Sequence, residues 1–266
     1  MNLRSISFLA IVLLAAFTPL LGCERGPAPD LVGPSLGSGP GAGIDSAPES
    51  SAPSGQAAVV RPHFDPEDFV RRVDNPFFPL VPGTAYRYSG ETAEGIVTSV
   101  FKVTHATKRI LGVTTIEIRD RVFLNGELQE DTFDWFAQDE EGNVWYFGED
   151  TKEYENGQVV STAGTWLAGR DGAEQGIIML AHPRVGDSYR QEFAVGVAED
   201  MARVVSLNKA VKVPYGRFRQ CLQTLETTAL EPDLKEDKYY ARGIGNLLTV
   251  NRATGERIEL ISVSRR

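Results

Sequence analysis

Polar and apolar residues alternate with a period of two along most of the chain after residue 83. This alternation is typical of β-strands that bury one face and expose the other to solvent. The segments that show it are 84–89, 96–107, 113–124, 130–138, 144–147, 152–155, 188–193, 202–209, 218–229, 238–242, 247–251 and 257–263. We therefore predict that this part of the chain is all-β.

Asn-Gly pairs mark two of the connections between these segments. Asn125-Gly126 and Asn156-Gly157 suit type I′ turns, in which both central residues adopt positive φ, and Thr254-Gly255 is a weaker example. Strands joined by such tight turns pair antiparallel. We therefore expect a single antiparallel meander of about a dozen strands, curled into a barrel or half-barrel that covers its edges.

One short helix is predicted ahead of the strands. It would begin at Asp65, with Pro66 at the first helical position and acidic residues in the first turn. The helix would end near Val73, before the Asn75-Pro76 pair.

The first 22 residues have the pattern of an export signal. Arg4 is their only charged residue, and an apolar run of ten residues follows at 8–17. The sequence LLGC comes next, ends at Cys23 and resembles the lipobox of bacterial lipoproteins. That resemblance implies that the signal peptide, 1–22, is removed and that Cys23 carries diacylglycerol through a thioether. The alternative is a plain secretory signal followed by a chance cysteine.

Residues 23–60 are predicted to form a disordered tether. Seven Gly, six Pro, six Ala and six Ser make up 25 of the 37 residues in 24–60. Such a segment cannot bury enough apolar area to offset its conformational entropy. As a flexible chain it would span roughly 30–35 Å. The β-rich globular domain would then occupy 61–266.

The chain contains two cysteines, Cys23 and Cys221. If Cys23 carries lipid, no intramolecular disulfide can form. Cys221 lies in an alternating segment and is predicted to be a small buried hydrophobic residue.

Negative charge is concentrated in one predicted hairpin. The net charge of −9 argues against a duplex nucleic-acid binder. Residues 127–155 contain eleven acids, one lysine and seven aromatic residues. With a five-residue turn at 139–143, Phe136 and Tyr146 would meet on the solvated face. They would form a platform for sugars, cationic peptides or metal ions; the alternative is a solvated acidic edge that resists aggregation.

The alternation lapses between residues 164 and 187. A long irregular segment in a compact domain is often a lid or a binding loop. Its candidate ligand-binding residues are Trp166, Arg170, Asp171, Met179 and His182. The alternative is that residues 177–180 form part of the core and plug one end of the barrel.

Catalysis finds little support in the sequence. GPSLG at 33–37 lies in the predicted tether and not between a strand and a helix, and SLNK at 206–209 lies in a strand pattern without the S-D-N or K-T-G that should accompany it. The chain has three histidines but no H-E-x-x-H, no C-x-x-C and no glycine-rich phosphate-binding loop. We therefore assign no catalytic, cofactor-binding or metal-binding residue.

The C-terminal third contains the sequences PYGRF at 214–218 and KYYARGIG at 238–245. These turns resemble the ending of uncharacterised β-rich bacterial envelope lipoproteins. The resemblance implies a curled antiparallel sheet and carries no activity with it.

Two functions are compatible with these observations. The first is a protein anchored by lipid to the bacterial envelope, on its periplasmic or outer-surface face, which binds an amphiphilic, cationic or sugar-like ligand, or a partner protein, without catalysis. The alternative is an envelope hydrolase that uses carboxylates of the acidic hairpin, 127–155.

Overall fold

The computed structural model of the chain describes residues 59–265. The predicted signal peptide, Cys23 and the tether up to residue 58 lie outside these residues, so nothing in the structure tests them.

The described residues form one antiparallel sheet, which confirms the predicted all-β class. Its strands are β1 (Phe69–Val70), β2 (Thr84–Thr92), β3 (Gly95–Ile110), β4 (Val113–Leu124), β5 (Glu127–Asp139), β6 (Val144–Glu155), β7 (Gln158–Ser161), β8 (Trp166–Leu167), β9 (Gly176–Met179), β10 (Ser188–Arg190), β11 (Asp200–Val213), β12 (Gly216–Thr228), β13 (Lys235–Ala241), β14 (Gly245–Asn251) and β15 (Arg257–Arg265). Across the sheet the order is β10-β11-β12-β13-β14-β15-β2-β3-β4-β5-β6-β7, with β1 added at β5 and both β8 and β9 added at β6.

Two meanders make up this sheet, whereas the sequence predicts one. Strands β2 to β7 form the first, β10 to β15 form the second, and the pairing of β15 with β2 joins them. At the other side, β9 pairs with β6, and an isolated bridge connects Glu174 to Phe193 just after β10. We call this junction the seam. No continuous ladder crosses the seam within the described residues, so the sheet curls without closing.

The predicted N-terminal helix is wrong, because only a 3-10 turn forms there, at Pro66–Asp68. Asp65 does cap this turn, since its Oδ1 accepts a hydrogen bond from Glu67 N at 2.9 Å. The chain then becomes extended at Phe69, where β1 pairs with β5 and the Phe69 ring packs against Trp145. Strand pairing and aromatic burial therefore override the local helix signal.

Both Asn-Gly turns form as predicted. Asn125 and Asn156 have φ values of 52° and 51°, and the glycine after each also has positive φ. Other boundaries differ from the predictions: 144–147 and 152–155 belong to a single strand, β6, and the irregular segment contributes β8 and β9.

The largest hydrophobic cluster extends through both meanders. Phe136 and Tyr146 from the first meander and Leu222 and Leu247 from the second are all fully buried in it. Cys221 is free and lies in the same cluster with none of its surface exposed, which confirms the prediction for that residue.

Candidate functional site

Both faces of the acidic hairpin, β5–β6, are buried around Phe136 and Tyr146, so the predicted exposed aromatic platform is wrong. Phe136 and Tyr146 pair across the strands as expected, and their rings stack with centroids 4.5 Å apart. Only 1% and 0% of their surfaces are exposed, however. These two candidates therefore lie in the core.

Rings from outside the hairpin cover its two faces. On one face the Phe64 ring packs against Trp145 at 5.6 Å. On the other, the Phe78 ring packs edge-on against Phe136 at 5.4 Å. The alternation within β5 and β6 cannot predict either contact, because Phe64 and Phe78 lie more than 50 residues away from the hairpin rings that they cover.

The candidates from the first half of the irregular segment do not form one site. Trp166 is buried and packs edge-on against Tyr146, with centroids 5.3 Å apart. Arg170 and Asp171 lie exposed in the turn that follows β8. Ligand binding by these residues stays a prediction.

The second half of that segment divides between core and surface. Residues 177–180, Met179 among them, are buried in and after β9, as the core alternative expects. His182 is exposed and lines a cavity of about 660 Å³ together with Glu141 and Arg242. Within residues 59–265, His182 makes no ion pair. The hydrolase alternative gains no histidine–carboxylate pair at this position and is otherwise untested.

A different cavity, of about 80 Å³, is lined by residues of both meanders and by the loop before β2. That volume is several times the roughly 10–15 Å³ that one water molecule needs. The aromatic residues that line it are Phe78, Tyr86, Tyr88, Phe101, Phe136 and Tyr240. Its charged residues are Asp120, Asp134 and Lys238. We call this space the aromatic cavity.

Asp134 lies between the aromatic cavity and two buried side chains of β6, Tyr146 and Glu149, which are hydrogen-bonded to each other. The Tyr146 hydroxyl is 2.6 Å from Asp134 Oδ1 and 3.1 Å from Glu149 Oε2. Because a hydroxyl has one hydrogen, both contacts are hydrogen bonds only if one of the two carboxyls is protonated. Burial raises the pKa of Asp134 to about 7, and the hydrogen bond from Tyr146 opposes that rise. Asp134 therefore titrates near neutral pH.

Lys238 carries its charge inside the sheet but has a partner there. Its Nζ is 2.8 Å from Glu226 Oε2, and the Tyr240 hydroxyl donates to Glu226 Oε1 at 3.1 Å. Burial alone would lower the pKa of Lys238, yet Glu226 and Glu236 hold that pKa above its usual value. The ammonium group is thus charged and is neutralised by Glu226.

Carboxyl groups outnumber bases in the interior of the described residues. Nine acidic side chains are buried there, and Lys238 is the one buried base. Burial and the nearby Asp134 raise the pKa of Asp120 well above its usual range. Glu192 is fully buried, and neither of its carboxylate oxygens has a hydrogen-bond partner in the part of the chain that the structure describes. Burial and the carboxylates of Asp200 and Glu149 raise the pKa of Glu192 as well. The interior therefore favours added positive charge, whether as protons or as a bound cation.

None of the three charged residues of the aromatic cavity is predicted individually as a site residue, and Asp134 enters only as one of the eleven acids of 127–155. Asp134 and Lys238 each occupy a position that the alternation assigns to one face of a strand, and polar residues on a strand are ordinarily solvated. A local signal could have identified these two residues. Asp134 lies two residues from Phe136, and Lys238 lies two residues from Tyr240, on the same face of the strand in each case.

Comparisons with known proteins give little further guidance. No family model matches the chain, and no curated protein matches it. A solved structure of a candidate lipoprotein from Parabacteroides distasonis ATCC 8503 aligns with 71% of this chain and 98% of its own. Its sequence identity is 11% and its TM-score is 0.39. A likeness of this size carries no information about function.

The described residues contain neither a membrane-spanning helix nor a cluster of metal ligands. No helix there is long and apolar enough to cross a membrane. Nor do three or more of their His, Cys, Asp and Glu side chains group in a way that could hold a metal ion.

Proposed function

We propose that this chain is a lipid-anchored protein of the bacterial envelope whose β-domain binds, without catalysis, the cationic end of a small amphiphile. The observation that carries the binding proposal is the composition of the aromatic cavity, six rings around Asp120 and Asp134. The envelope location rests on the LLGC sequence that ends at Cys23.

The rings of the aromatic cavity suit an organic cation. The faces of Tyr and Phe carry negative charge density and attract ammonium groups, most strongly where water is excluded. Tyr240 and Phe136 are each 1% exposed, so a cation beside them would be largely desolvated. The same rings would pack against the apolar part of the ligand.

The charges of the aromatic cavity favour the same class of ligand. Glu226 already neutralises Lys238, so Lys238 offers little attraction to an anion. Asp134, with a pKa of about 7, has no basic partner within ion-pair distance among residues 59–265. A cation that binds beside it would displace its proton. Binding should therefore tighten as the pH rises.

Three probes that share a phenyl group test the charge preference: benzyltrimethylammonium, phenyl glucoside and benzenesulfonate. Each is titrated calorimetrically into the full lipidated chain held in nanodiscs, at pH 6 and at pH 8. We expect benzyltrimethylammonium to bind best. Its affinity should rise about tenfold between the two pH values, in proportion to the ionised fraction of a group with a pKa of about 7.

Two buried acids provide the matched pair of variants. Asp134→Asn should abolish the pH dependence of binding, whereas Glu130→Gln should preserve it, because Glu130 is buried but does not line the aromatic cavity. If phenyl glucoside bound more tightly than benzyltrimethylammonium, the ligand would be a sugar and not a cation. Equal binding of benzenesulfonate would contradict the proposal altogether.

A further inference from the structure

The hairpin of β11 and β12 extends well past both of its neighbouring strands. β10 pairs only with residues 201–203 of β11, and β13 pairs only with residues 222–227 of β12. Residues 206–220 therefore lie beyond both neighbours, and their strand pairing is to the other strand of the same hairpin. The tip of the hairpin is held by one backbone hydrogen bond, which Tyr215 N donates to Leu260 O of β15 at 3.1 Å. We call this part of the hairpin the ribbon.

The two faces of the ribbon differ in character. Val211 and Val213 are buried and, with the half-buried Phe218, pack against the hydrophobic core. The intervening Lys212 and Arg217 are exposed. One face therefore holds the ribbon on the domain and leaves the other face to solvent.

This hairpin is basic, and its basic residues have no counter-charge within the described residues. Between Asp200 and Glu226 the sequence contains five basic residues and no acid. The basic residues are Arg203, Lys209, Lys212, Arg217 and Arg219, and all five are exposed. None of them forms an ion pair within the described residues.

Lys212 and Arg217 also lie directly opposite each other across the two strands. Like charges in this arrangement destabilise a sheet, so this pair does not contribute to the stability of the fold. An anionic surface outside the molecule would supply the charge that the fold does not.

The chain that leads to the predicted anchor enters the domain beside the same hairpin. Val60 N donates to Ser188 O at 2.7 Å, and Ser188 pairs with Arg203 on β11. The predicted tether would therefore keep this edge of the domain at a root-mean-square distance of roughly 30–35 Å from the lipid. At the tip of the ribbon Tyr215 is 39% exposed, and aromatic residues of this kind favour the membrane interface.

We propose that the ribbon docks on an anionic lipid surface and so orients the anchored domain. This inference rests on the lipid anchor of the proposed function. Anchoring keeps the local lipid concentration high, so several weak electrostatic contacts suffice to hold the ribbon down. Contacts of this type weaken with added salt.

Lysine labelling tests the docking directly. The full lipidated chain is reconstituted into vesicles of phosphatidylcholine alone, or of phosphatidylcholine mixed with phosphatidylglycerol, and treated with an amine-reactive reagent. Labelling of Lys209 and Lys212 should fall about fivefold on the anionic vesicles, and high salt should restore it. Lys102, which is exposed on β3, serves as the internal reference and should not change.

A charge reversal supplies the variant test. Lys212→Glu replaces a like-charge pair with an ion pair to Arg217, so the variant should unfold at the same or a higher temperature than the wild type. It should nevertheless lose most of the protection at Lys209. Lys102→Glu, the matched control, should keep that protection.

Four results would overturn the docking proposal. The first is equal labelling of Lys209 and Lys212 on both kinds of vesicle, and the second is protection that extends to Lys102. The third is full protection of Lys209 in the Lys212→Glu variant. The fourth is protection in whole cells but not on vesicles, which would indicate an acidic protein partner. An intact mass without acyl chains would instead contradict the anchor, and it would be seen before reconstitution.

Discussion

Raising the pH from 5 to 8 should destabilise this domain, and Asp134 should account for much of the loss. The pKa of Asp134 is about 7 in the folded chain, against 3.8 for the unperturbed group. Between these values the folded chain holds a proton that the unfolded chain has released. The unfolded state therefore binds fewer protons, and the free energy of unfolding falls with rising pH across this window.

The size of the effect follows from the two pKa values. A difference between 3.8 and about 7, at 1.36 kcal/mol for each pH unit, corresponds to about 4 kcal/mol. Roughly 1 to 2 kcal/mol of this is already lost at pH 5, which leaves about 2 to 3 kcal/mol between pH 5 and pH 8. Asp200, whose burial raises its pKa to about 6, adds a loss of the same sign.

Urea denaturation of the full chain at four pH values between 5 and 8, followed by tryptophan fluorescence, measures this slope. Asp134→Asn keeps an oxygen that can accept the Tyr146 hydrogen bond but removes the ionisation. At pH 8 the variant should be more stable than the wild type, and its stability should depend less on pH. A wild-type stability that is flat or rises between pH 5 and pH 8 would refute this reasoning, as would an Asn variant with an unchanged slope.

Three further predictions concern the anchor, the core and the seam. Cys23→Ala should move the protein from the membrane to the soluble fraction, and an unmodified wild-type N-terminus in an intact-mass spectrum would contradict this. Tyr146→Ala and Trp135→Ala should each cost about 3–5 kcal/mol in denaturation experiments, because both rings are buried; a small loss for Tyr146 would restore the exposed platform. Gly176→Ala should speed hydrogen exchange at the seam, since its Cβ would lie 2.1 Å from Gln191 O, and unchanged exchange would show that the seam can adjust.

Most strands could be predicted from the sequence, because each depends on a local period of two that burial of one face imposes. β4 matches its predicted bounds, Val113–Leu124, at both ends. The Asn-Gly turn after β4 is as local as the strand itself, since it needs only two residues that tolerate positive φ.

The errors share a different physical origin, which is contact between distant segments. The helix signal at Asp65 is genuine as a cap, but β1 follows it because β5 offers a strand partner. The joining of the two meanders through β15 and β2 likewise depends on residues more than 150 positions apart. A period of two cannot tell which strand a given strand will pair with.

The aromatic cavity was beyond prediction for a related reason. Alternation assigns Asp134 and Phe136 to one face of β5 but does not say whether that face meets water or another layer. The loop that carries Phe78 covers the face, and the same burial that hides Phe136 raises the pKa of Asp134. A residue expected to be an ordinary solvated acid thus becomes a titratable group of the interior.

The position of each charge, and not the net charge, determines what this surface presents. The sequence places eleven acids in 127–155, yet five of them are buried, so the hairpin is much less acidic outside than its composition indicates. The five basic residues between Asp200 and Glu226, in contrast, are all exposed. Burial thus removes negative charge from one hairpin and leaves positive charge on another. Although the net charge of the chain is −9, its described residues therefore carry a basic edge on the surface and an excess of carboxyl groups in the interior.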